Sequence, residues 1–206
     1  MCGIFAIFGI KGNYIEKRKI MVKHLKRLLH RGPEYTGIAH FETSPNNHTF
    51  LCHERLAIVA PQFGEQPQWS TQKTFCTVVN GEIYNHIELY KEMKGYENID
   101  KRADCEVVCN MFEYYGDVKR ICNMLSGKWS CIVYDVVKNR FWVMRDHIGI
   151  IPCYLGRGKN GEVYVSNELK AIHDVSRNLE ILLPGINNFI NFIILSLFNN
   201  QIINII

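Results

Sequence analysis

The chain begins Met1-Cys2-Gly3-Ile4-Phe5-Ala6-Ile7-Phe8-Gly9, an almost uninterrupted apolar run that ends in a glycine. A short continuous run of this kind predicts a strand that is buried on both faces, here over residues 3–8. Such a strand would keep the residue before it, Cys2, in a fixed position. The start of the chain is therefore predicted to organise the fold.

Cys2 also offers a complete catalytic pair if Met1 is removed, as a small second residue generally allows. The residue then carries a thiol and a free α-amine, whose ordinary pKa values lie near ~8.5 and ~7.7–8.0. At neutral pH part of the amine is neutral and can take the thiol proton, directly or through water. The alternative interpretation is a buried thiol on an edge strand.

The composition limits the class of protein. With 206 residues, 47% of them hydrophobic, the chain can bury one sizeable core, and we expect a single domain. Its net charge of +4 comes without a long basic run, so no nucleic-acid-binding surface is indicated. The apolar start lacks a basic leading segment and a cleavage site, which favours a cytoplasmic protein with reduced thiols.

The cysteines are predicted to be packing residues rather than metal ligands. Cys105 and Cys109 lie four apart on a predicted helix, but no Cys-x-x-Cys or matching His spacing accompanies them. No metal site is therefore expected. The remaining predicted core thiols are Cys52, Cys76, Cys122, Cys131 and Cys153.

The hydrophobic pattern predicts an α+β domain with antiparallel sheets, because strands outnumber helices and follow one another directly. Helical periodicity covers residues 15–29, 86–94, 104–115 and, briefly, 168–174. Strand-like segments cover residues 36–42, 49–59, 75–79, 129–135, 141–145, 152–155 and 163–166. The turn-rich residues 44–47 predict that the first two of these strands form a hairpin.

Two positions have ordinary structural explanations on their residues alone. Asn80-Gly81 between β-favouring residues predicts a tight hairpin turn, the strongest short hairpin signal. Asp104 stands where the N-cap of a helix belongs.

Seven short motifs follow one another along the chain: Met1-Cys2-Gly3-Ile4, His30-Arg31-Gly32-Pro33-Glu34, His53-Glu54-Arg55-Leu56-Ala57-Ile58-Val59, Gly64-Glu65-Gln66-Pro67, Asn80-Gly81-Glu82-Ile83-Tyr84-Asn85-His86, Ala103-Asp104-Cys105-Glu106-Val107 and Arg145-Asp146-His147-Ile148-Gly149-Ile150-Ile151-Pro152. Together they resemble the glutaminase domain of glutamine-dependent asparagine synthetases, over about residues 1–185. Related branches usually place an aromatic residue where this chain has Leu56. The resemblance implies a class II glutamine amidotransferase domain with the N-terminal-nucleophile hydrolase fold, a four-layer αββα sandwich of two antiparallel sheets.

The resemblance also implies a role for each matching residue. Cys2 would be the nucleophile, and the Asn80 side chain and Gly81 N–H would form the oxyanion hole. Arg55 would bind the α-carboxylate of glutamine, and Glu82 and Asp104 its α-ammonium group. The backbone around Ile58 and Val59 would line the pocket, and Arg31 would support the nucleophile. For Asp104, substrate binding then takes precedence over the capping role.

Whole synthetases of this kind carry a second domain that uses ATP and Mg²⁺ to activate aspartate and receives the ammonia. That domain is absent from these 206 residues, so the glutaminase half is expected to need no cofactor and to have a synthetase domain or subunit as partner. A homodimer is a further expectation. Two departures from the family pattern, Lys128 and Asn167, are expected to weaken contacts with a synthetase domain.

Residues 186–206 are rich in Ile, Asn, Phe and Leu and contain no charged residue. Interruption by Asn argues against a membrane span. We expect an aberrant tail, and our hypothesis is translated non-coding sequence. Sequencing the mature transcript tests it, and a confirmed stop codon after Ile206 would reject it. The alternative for the whole chain is a non-catalytic remnant or binding domain, or a stand-alone glutaminase of another amidotransferase branch.

Overall fold

The computed structural model describes residues 1–56, 64–96 and 103–184, together with the backbone of 192–196 and 202–205. The strands of these residues are β1 Gly3–Lys11, β2 Tyr35–Ser44, β3 Asn47–Arg55, β4 Gln68–Trp69, β5 Phe75–Ile83, β6 Gly127–Asp135, β7 Arg140–Arg145, β8 Tyr154–Arg157, β9 Val163–Ser166, β10 Arg177–Ile181, β11 Phe192–Ser196 and β12 Ile202–Ile205. The α-helices are α1 Tyr14–Leu25, α2 His86–Glu92, α3 Val107–Tyr115 and α4 Val118–Met124. Short 3-10 helices cover Lys26–Arg31, Asp104–Glu106 and Leu169–Ala171.

The strands form two six-stranded sheets. The first sheet has the order β10-β8-β9-β1-β3-β2, and the second has the order β12-β11-β7-β6-β5-β4. The strand pairs in both sheets are antiparallel. The prediction of two antiparallel sheets is confirmed.

Strand β1 lies in the middle of the first sheet, and its alternating side chains divide the core into layers. Ile4, Ala6 and Phe8 pack between the two sheets. Phe5 and Ile7 point the other way and pack against α1. The second sheet is covered on its outer face by α2, α3 and α4. The chain therefore forms the predicted four layers, helix, sheet, sheet and helix.

The predicted strand over residues 3–8 and the predicted hairpin of β2 and β3 are confirmed. The helix predicted over residues 15–29 changes to a 3-10 helix at Lys26, and the helical piece predicted over 168–174 is a single 3-10 turn. Helix α4 was not predicted. Its sequence signal is Asp117, whose carboxylate accepts hydrogen bonds from the next helical N–H groups, as an N-cap does.

The hairpin turn predicted at Asn80-Gly81 is wrong. Both residues lie inside β5 and pair with Ser130 and Trp129 of β6. In the part of the chain that the structure describes, three α-helices and a 3-10 helix separate β5 from β6, so the partner of β5 comes from far along the chain rather than from the next few residues. A tertiary pairing has overridden the local turn preference of Asn-Gly.

Phe8 tests the packing between the sheets. Its ring stacks on that of Phe141 of β7, with centroids 3.5 Å apart, and both side chains are fully buried. We expect Phe8→Ala to lower the free energy of unfolding in urea by about 3–5 kcal/mol through loss of contacts and the cavity left behind. The control Val137→Ala alters a side chain that is 72% exposed, and should change stability by less than about 0.5 kcal/mol. Equal losses in the two variants would contradict the layered core.

Candidate active site

A pocket opens where the beginning of β1 and the end of β5 meet, at one end of the two packed sheets. Its walls come from both sheets and from the 3-10 helix Asp104–Glu106. The structure brings into this pocket six of the predicted site residues: Cys2, Arg55, Asn80, Gly81, Glu82 and Asp104. Ile58 and Val59 lie outside the described residues.

The Cys2 thiol is partly exposed to the pocket and is held by the backbone of Leu56. The Leu56 N–H donates to Sγ at 3.4 Å, and Sγ lies 3.6 Å from the Leu56 carbonyl oxygen. Burial raises the pKa of the Cys2 thiol, while the Leu56 hydrogen bond, the positive N-terminus and the guanidinium groups of Arg55 and Arg31 act to lower it. The net effect favours a protonated resting thiol, which needs a base when it reacts.

Asn80 joins the second sheet to the start of the chain. Its side-chain oxygen accepts a hydrogen bond from the Cys2 backbone nitrogen at 3.0 Å. Its side-chain nitrogen is buried and has no acceptor among the residues that the structure describes. A buried unpaired amide is unfavourable by about 1–3 kcal/mol, so a site that retains one has a donor in reserve for another group.

Gly81 is fixed by a close approach of two strands. Its φ is +143°, and a Cβ at this position would stand 2.0 Å from the carbonyl oxygen of Lys128 and 2.6 Å from Cα of Trp129. Only glycine fits both the dihedral angle and the contact. The close approach fixes the backbone of the predicted oxyanion hole.

Positive and negative groups both line the pocket. Arg55 is almost fully buried in its wall, with its guanidinium 5.8 Å from the ring centroid of Tyr35. Asp104 does not cap a helix, because Ala103 holds the N-cap position and the Asp104 carboxylate instead accepts from the Ile83 N–H at 3.0 Å. The capping interpretation of Asp104 is therefore wrong, and its carboxylate lies in the pocket wall.

Lys128 is a pocket residue whose role the sequence did not reveal. It stands opposite Glu82 in the β5–β6 ladder, and Nζ lies 3.4 Å from the Glu82 carboxylate. The sequence marks Lys128 only as a departure from the family pattern. That Lys128 lies in the pocket follows from the pairing of β5 with β6. Lys128 puts a cation beside one of the two predicted ammonium-binding carboxylates.

Arg31 lies behind Cys2, on the side of the Cys2 carbonyl. Its Nε donates to the Cys2 carbonyl at 2.8 Å, and its Nη1 contacts the Glu168 carboxylate at 2.7 Å. Asn167 is fully buried next to these groups, so its side chain does not form part of a docking surface. The expectation that Asn167 weakens contacts with a synthetase domain stays a prediction, and its burial means that any such effect would be indirect.

The other seven cysteines are buried, as predicted for packing residues. Desolvation raises the pKa of each of these thiols, which makes them unreactive. Within the described ranges, no three His, Cys, Asp or Glu side chains cluster as metal ligands. Those same ranges contain no helix long and apolar enough to span a membrane.

The family model and two similar curated proteins point to the same family. The sequence profile of the glutamine amidotransferase domain matches residues 1–203. Glutamine-hydrolysing asparagine synthetases of Sandersonia aurantiaca and Arabidopsis thaliana are 37% and 38% identical over 185 residues. These matches cover 90% of this chain but 34% and 30% of the two relatives, so the chain spans about a third of their length.

The fold has solved counterparts. Glutamine phosphoribosylpyrophosphate amidotransferase from B. subtilis superposes with a TM-score of 0.75 over 98% of this chain and 48% of that chain. The sequences are 21% identical, so this likeness concerns the fold alone. It agrees with the predicted N-terminal-nucleophile hydrolase architecture.

Gly81→Ala tests the strand contact beneath the site. The matched control is Gly116→Ala, because Gly116 also has a positive φ, +64°, but its added Cβ would meet nothing within 4 Å. Backbone strain should lower the free energy of unfolding in both variants. Overpacking against Lys128 should lower it by about 1–3 kcal/mol more in Gly81→Ala than in the control. Urea denaturation measures both, and equal losses would show that β5 and β6 can separate without cost.

Proposed function

The chain belongs to the glutamine amidotransferase domain family, and we propose that it hydrolyses the side-chain amide of free glutamine to glutamate and ammonia. The observation that carries this proposal is the arrangement of the Asn80 side-chain amide. Its oxygen accepts a hydrogen bond from the Cys2 nitrogen. Its NH₂ group is buried and has no acceptor among the described residues. Cys2 and Asn80, which carry the thiol and the unused donor, both line one pocket.

The first half of the reaction forms a thioester. With Met1 removed, the α-amine of Cys2 takes the thiol proton while Sγ attacks the amide carbon of glutamine. The resulting tetrahedral intermediate collapses as its C–N bond breaks and the proton passes to the leaving nitrogen, releasing ammonia. The amine suits this task because burial raises the pKa of the Cys2 thiol and so favours its protonated form. Met1 is 62% exposed and thus accessible to a processing enzyme.

The second half is hydrolysis of the thioester. Water gives a proton to the same α-amine and attacks the carbonyl carbon, and the C–S bond breaks to return the thiol and release glutamate. In both halves negative charge develops on the carbonyl oxygen. The Asn80 NH₂ group and the Gly81 N–H are the proposed donors to that oxyanion, and loss of one such donor typically costs ~10²–10³ in rate.

Recognition of free glutamine requires groups for both of its charges. The planar fork of Arg55 suits the α-carboxylate. The carboxylates of Glu82 and Asp104 suit the α-ammonium group, and all three side chains line the pocket with Cys2. We assign the remaining contacts to the backbone around Ile58 and Val59, following the family pattern.

We further propose that the ammonia serves ATP-dependent synthesis of asparagine from aspartate. The named relatives are glutamine-hydrolysing asparagine synthetases, and this chain matches about a third of their length. The synthetase reaction and its ATP and Mg²⁺ would then belong to a separate domain or subunit, and hydrolysis itself would need no cofactor. A reducing cytoplasm suits the eight free thiols.

Cys2→Ala tests the function directly. We expect glutamate release from glutamine to fall by more than about 10³-fold, because the nucleophile is lost. Cys2→Ser is the matched variant that keeps the shape of the side chain, and it should be nearly as inactive with an unchanged melting temperature. Mass spectrometry should find Met1 absent and a glutamine-analogue alkylating agent attached to Cys2.

Two outcomes would contradict this assignment. Equal hydrolysis by the wild type and Cys2→Ala would reject Cys2 as the nucleophile. A folded wild-type protein, freed of Met1, that neither hydrolyses glutamine nor reacts with the analogue would favour the non-catalytic remnant.

Lys128→Met tests the recognition of the ammonium group. Lys128 competes with a substrate ammonium for Glu82, and both side chains are 37% exposed, so their ion pair is weak. We expect Lys128→Met to lower the KM for glutamine by about two- to fivefold without changing kcat. Arg55→Ala should raise KM, because it removes binding that ground and transition states share.

The matched control is Lys138→Met, which alters an exposed lysine in the turn between β6 and β7, away from the pocket. It should leave KM unchanged. A KM for Lys128→Met that equals that of the control would mean that Lys128 does not restrict the substrate.

A further inference from the structure

An N-terminal nucleophile presents a positioning problem. Once Met1 is gone, Cys2 has a single peptide bond, and nothing before it in the chain restricts its rotation. The amine nitrogen is used by Asn80 and must stay available for proton transfer. The Cys2 carbonyl is therefore the remaining group through which the protein can hold Cys2 without contacting the reacting atoms.

Asn167 reaches this carbonyl from the first sheet. The β1–β9 ladder ends with the pair Phe5 and Ser166, and Asn167 comes next. Its side-chain oxygen accepts from the Ile4 N–H at 2.8 Å, and its side-chain nitrogen donates to the Cys2 carbonyl at 3.4 Å. The amide side chain thereby extends the ladder by one rung, up to the nucleophile.

Glu168 reaches the same carbonyl through Arg31. The Glu168 carboxylate lies 2.7 Å from Arg31 Nη1, and Arg31 Nε donates to the Cys2 carbonyl at 2.8 Å. Glu168 is 18% exposed and also contacts Lys170 at 3.0 Å. Two adjacent residues, Asn167 and Glu168, thus act on one oxygen atom, one directly and one through a guanidinium.

The burial of Asn167 indicates that its contacts with Ile4 and Cys2 are maintained. Asn167 is 0% exposed, and its side-chain oxygen and nitrogen both have partners. A satisfied buried amide is costly to displace, because each group would lose its partner without gaining water. Burial acts to raise the pKa of Glu168, but hydrogen bonds from Arg31, Lys170 and His30 outweigh it and lower the pKa, so the carboxylate is charged at neutral pH.

We propose that Asn167 and Glu168 are positioning residues that clamp the Cys2 carbonyl and so orient its thiol for attack on the substrate amide. This inference rests on the proposed glutaminase function. Asn167, which departs from the family pattern, thereby has a role inside the site. The clamp acts on the geometry of the nucleophile and leaves substrate binding to Arg55, Glu82 and Asp104.

Asn167→Leu removes both amide contacts at similar volume. A misplacement of about 1 Å can cost about 10²-fold in rate, so we expect kcat to fall by about 10- to 100-fold while KM changes by less than about threefold. Glu168→Gln keeps the side-chain shape but removes the charge that holds Arg31, and it should give a smaller fall in kcat.

The second readout separates positioning from stability. Iodoacetamide reacts with any accessible Cys2 thiol, whereas a glutamine-analogue alkylating agent reacts only with a correctly oriented one. The rate ratio of the analogue to iodoacetamide should fall in both variants. The matched control Asn110→Leu changes another fully buried asparagine, which contacts Thr71 and Tyr90, and none of these three residues lines the pocket. It should lower the melting temperature and leave the ratio unchanged.

The outcomes are distinguishable. A folded Asn167→Leu with unchanged kcat and unchanged ratio would overturn the clamp. If Asn167→Leu does not fold, Glu168→Gln decides by the same ratio. A wild-type protein that hydrolyses no glutamine but still reacts with the analogue would contradict the proposed function, while the ratio would still decide for or against the clamp.

Discussion

Burial of β1 on both faces is the constraint on which the candidate site depends. Ile4, Ala6 and Phe8 fill the space between the sheets, and Phe5 and Ile7 pack beneath α1. Ladders to β3 and β9 fix the backbone on both sides. The strand cannot shift by one residue without exchanging its two faces. The position of Cys2 is therefore set by the core of the molecule, which gives a reactive group better definition than a mobile terminus would.

The second sheet supplies the other half of the site at a cost in stability. Asn80 lies inside β5 with a buried NH₂ group that has no acceptor among the described residues, and Gly81 allows a strand contact that any side chain would prevent. Both features break rules that hold for ordinary strands, where polar groups are paired and glycine is unfavourable. Such conflicts are expected where a protein keeps a polar group ready for a ligand. Pairing of β5 with β6 over nine consecutive positions offsets them.

The sequence predicted the parts of the fold that depend on local pattern. The apolar run of β1 and the hairpin of β2 and β3 need only neighbouring residues, and both predictions are confirmed. On their residues alone, Asn80-Gly81 predicted a turn and Asp104 a cap, because the same residue types serve local and tertiary roles. The Asn80-Gly81 case was decided by the pairing of β5 with a strand beyond three α-helices and a 3-10 helix of the described residues, which no short window contains. The Asp104 case was decided by its hydrogen bond from the Ile83 N–H.

The functional interpretation of Lys128 and Asn167 was limited in the same way, because a local sequence pattern does not reveal tertiary partners. Each was visible in the sequence as a departure from the family pattern, but its meaning depends on a partner far along the chain: Glu82 for Lys128 and Cys2 for Asn167. Both residues lie on or just beyond strands that pair with the elements of the site. Strand pairing thus brings these two distant positions next to the candidate pocket and Cys2. Under the proposed function, these two positions would affect how substrate and thiol are held, while Cys2 and the Asn80 amide would carry out the bond-breaking chemistry.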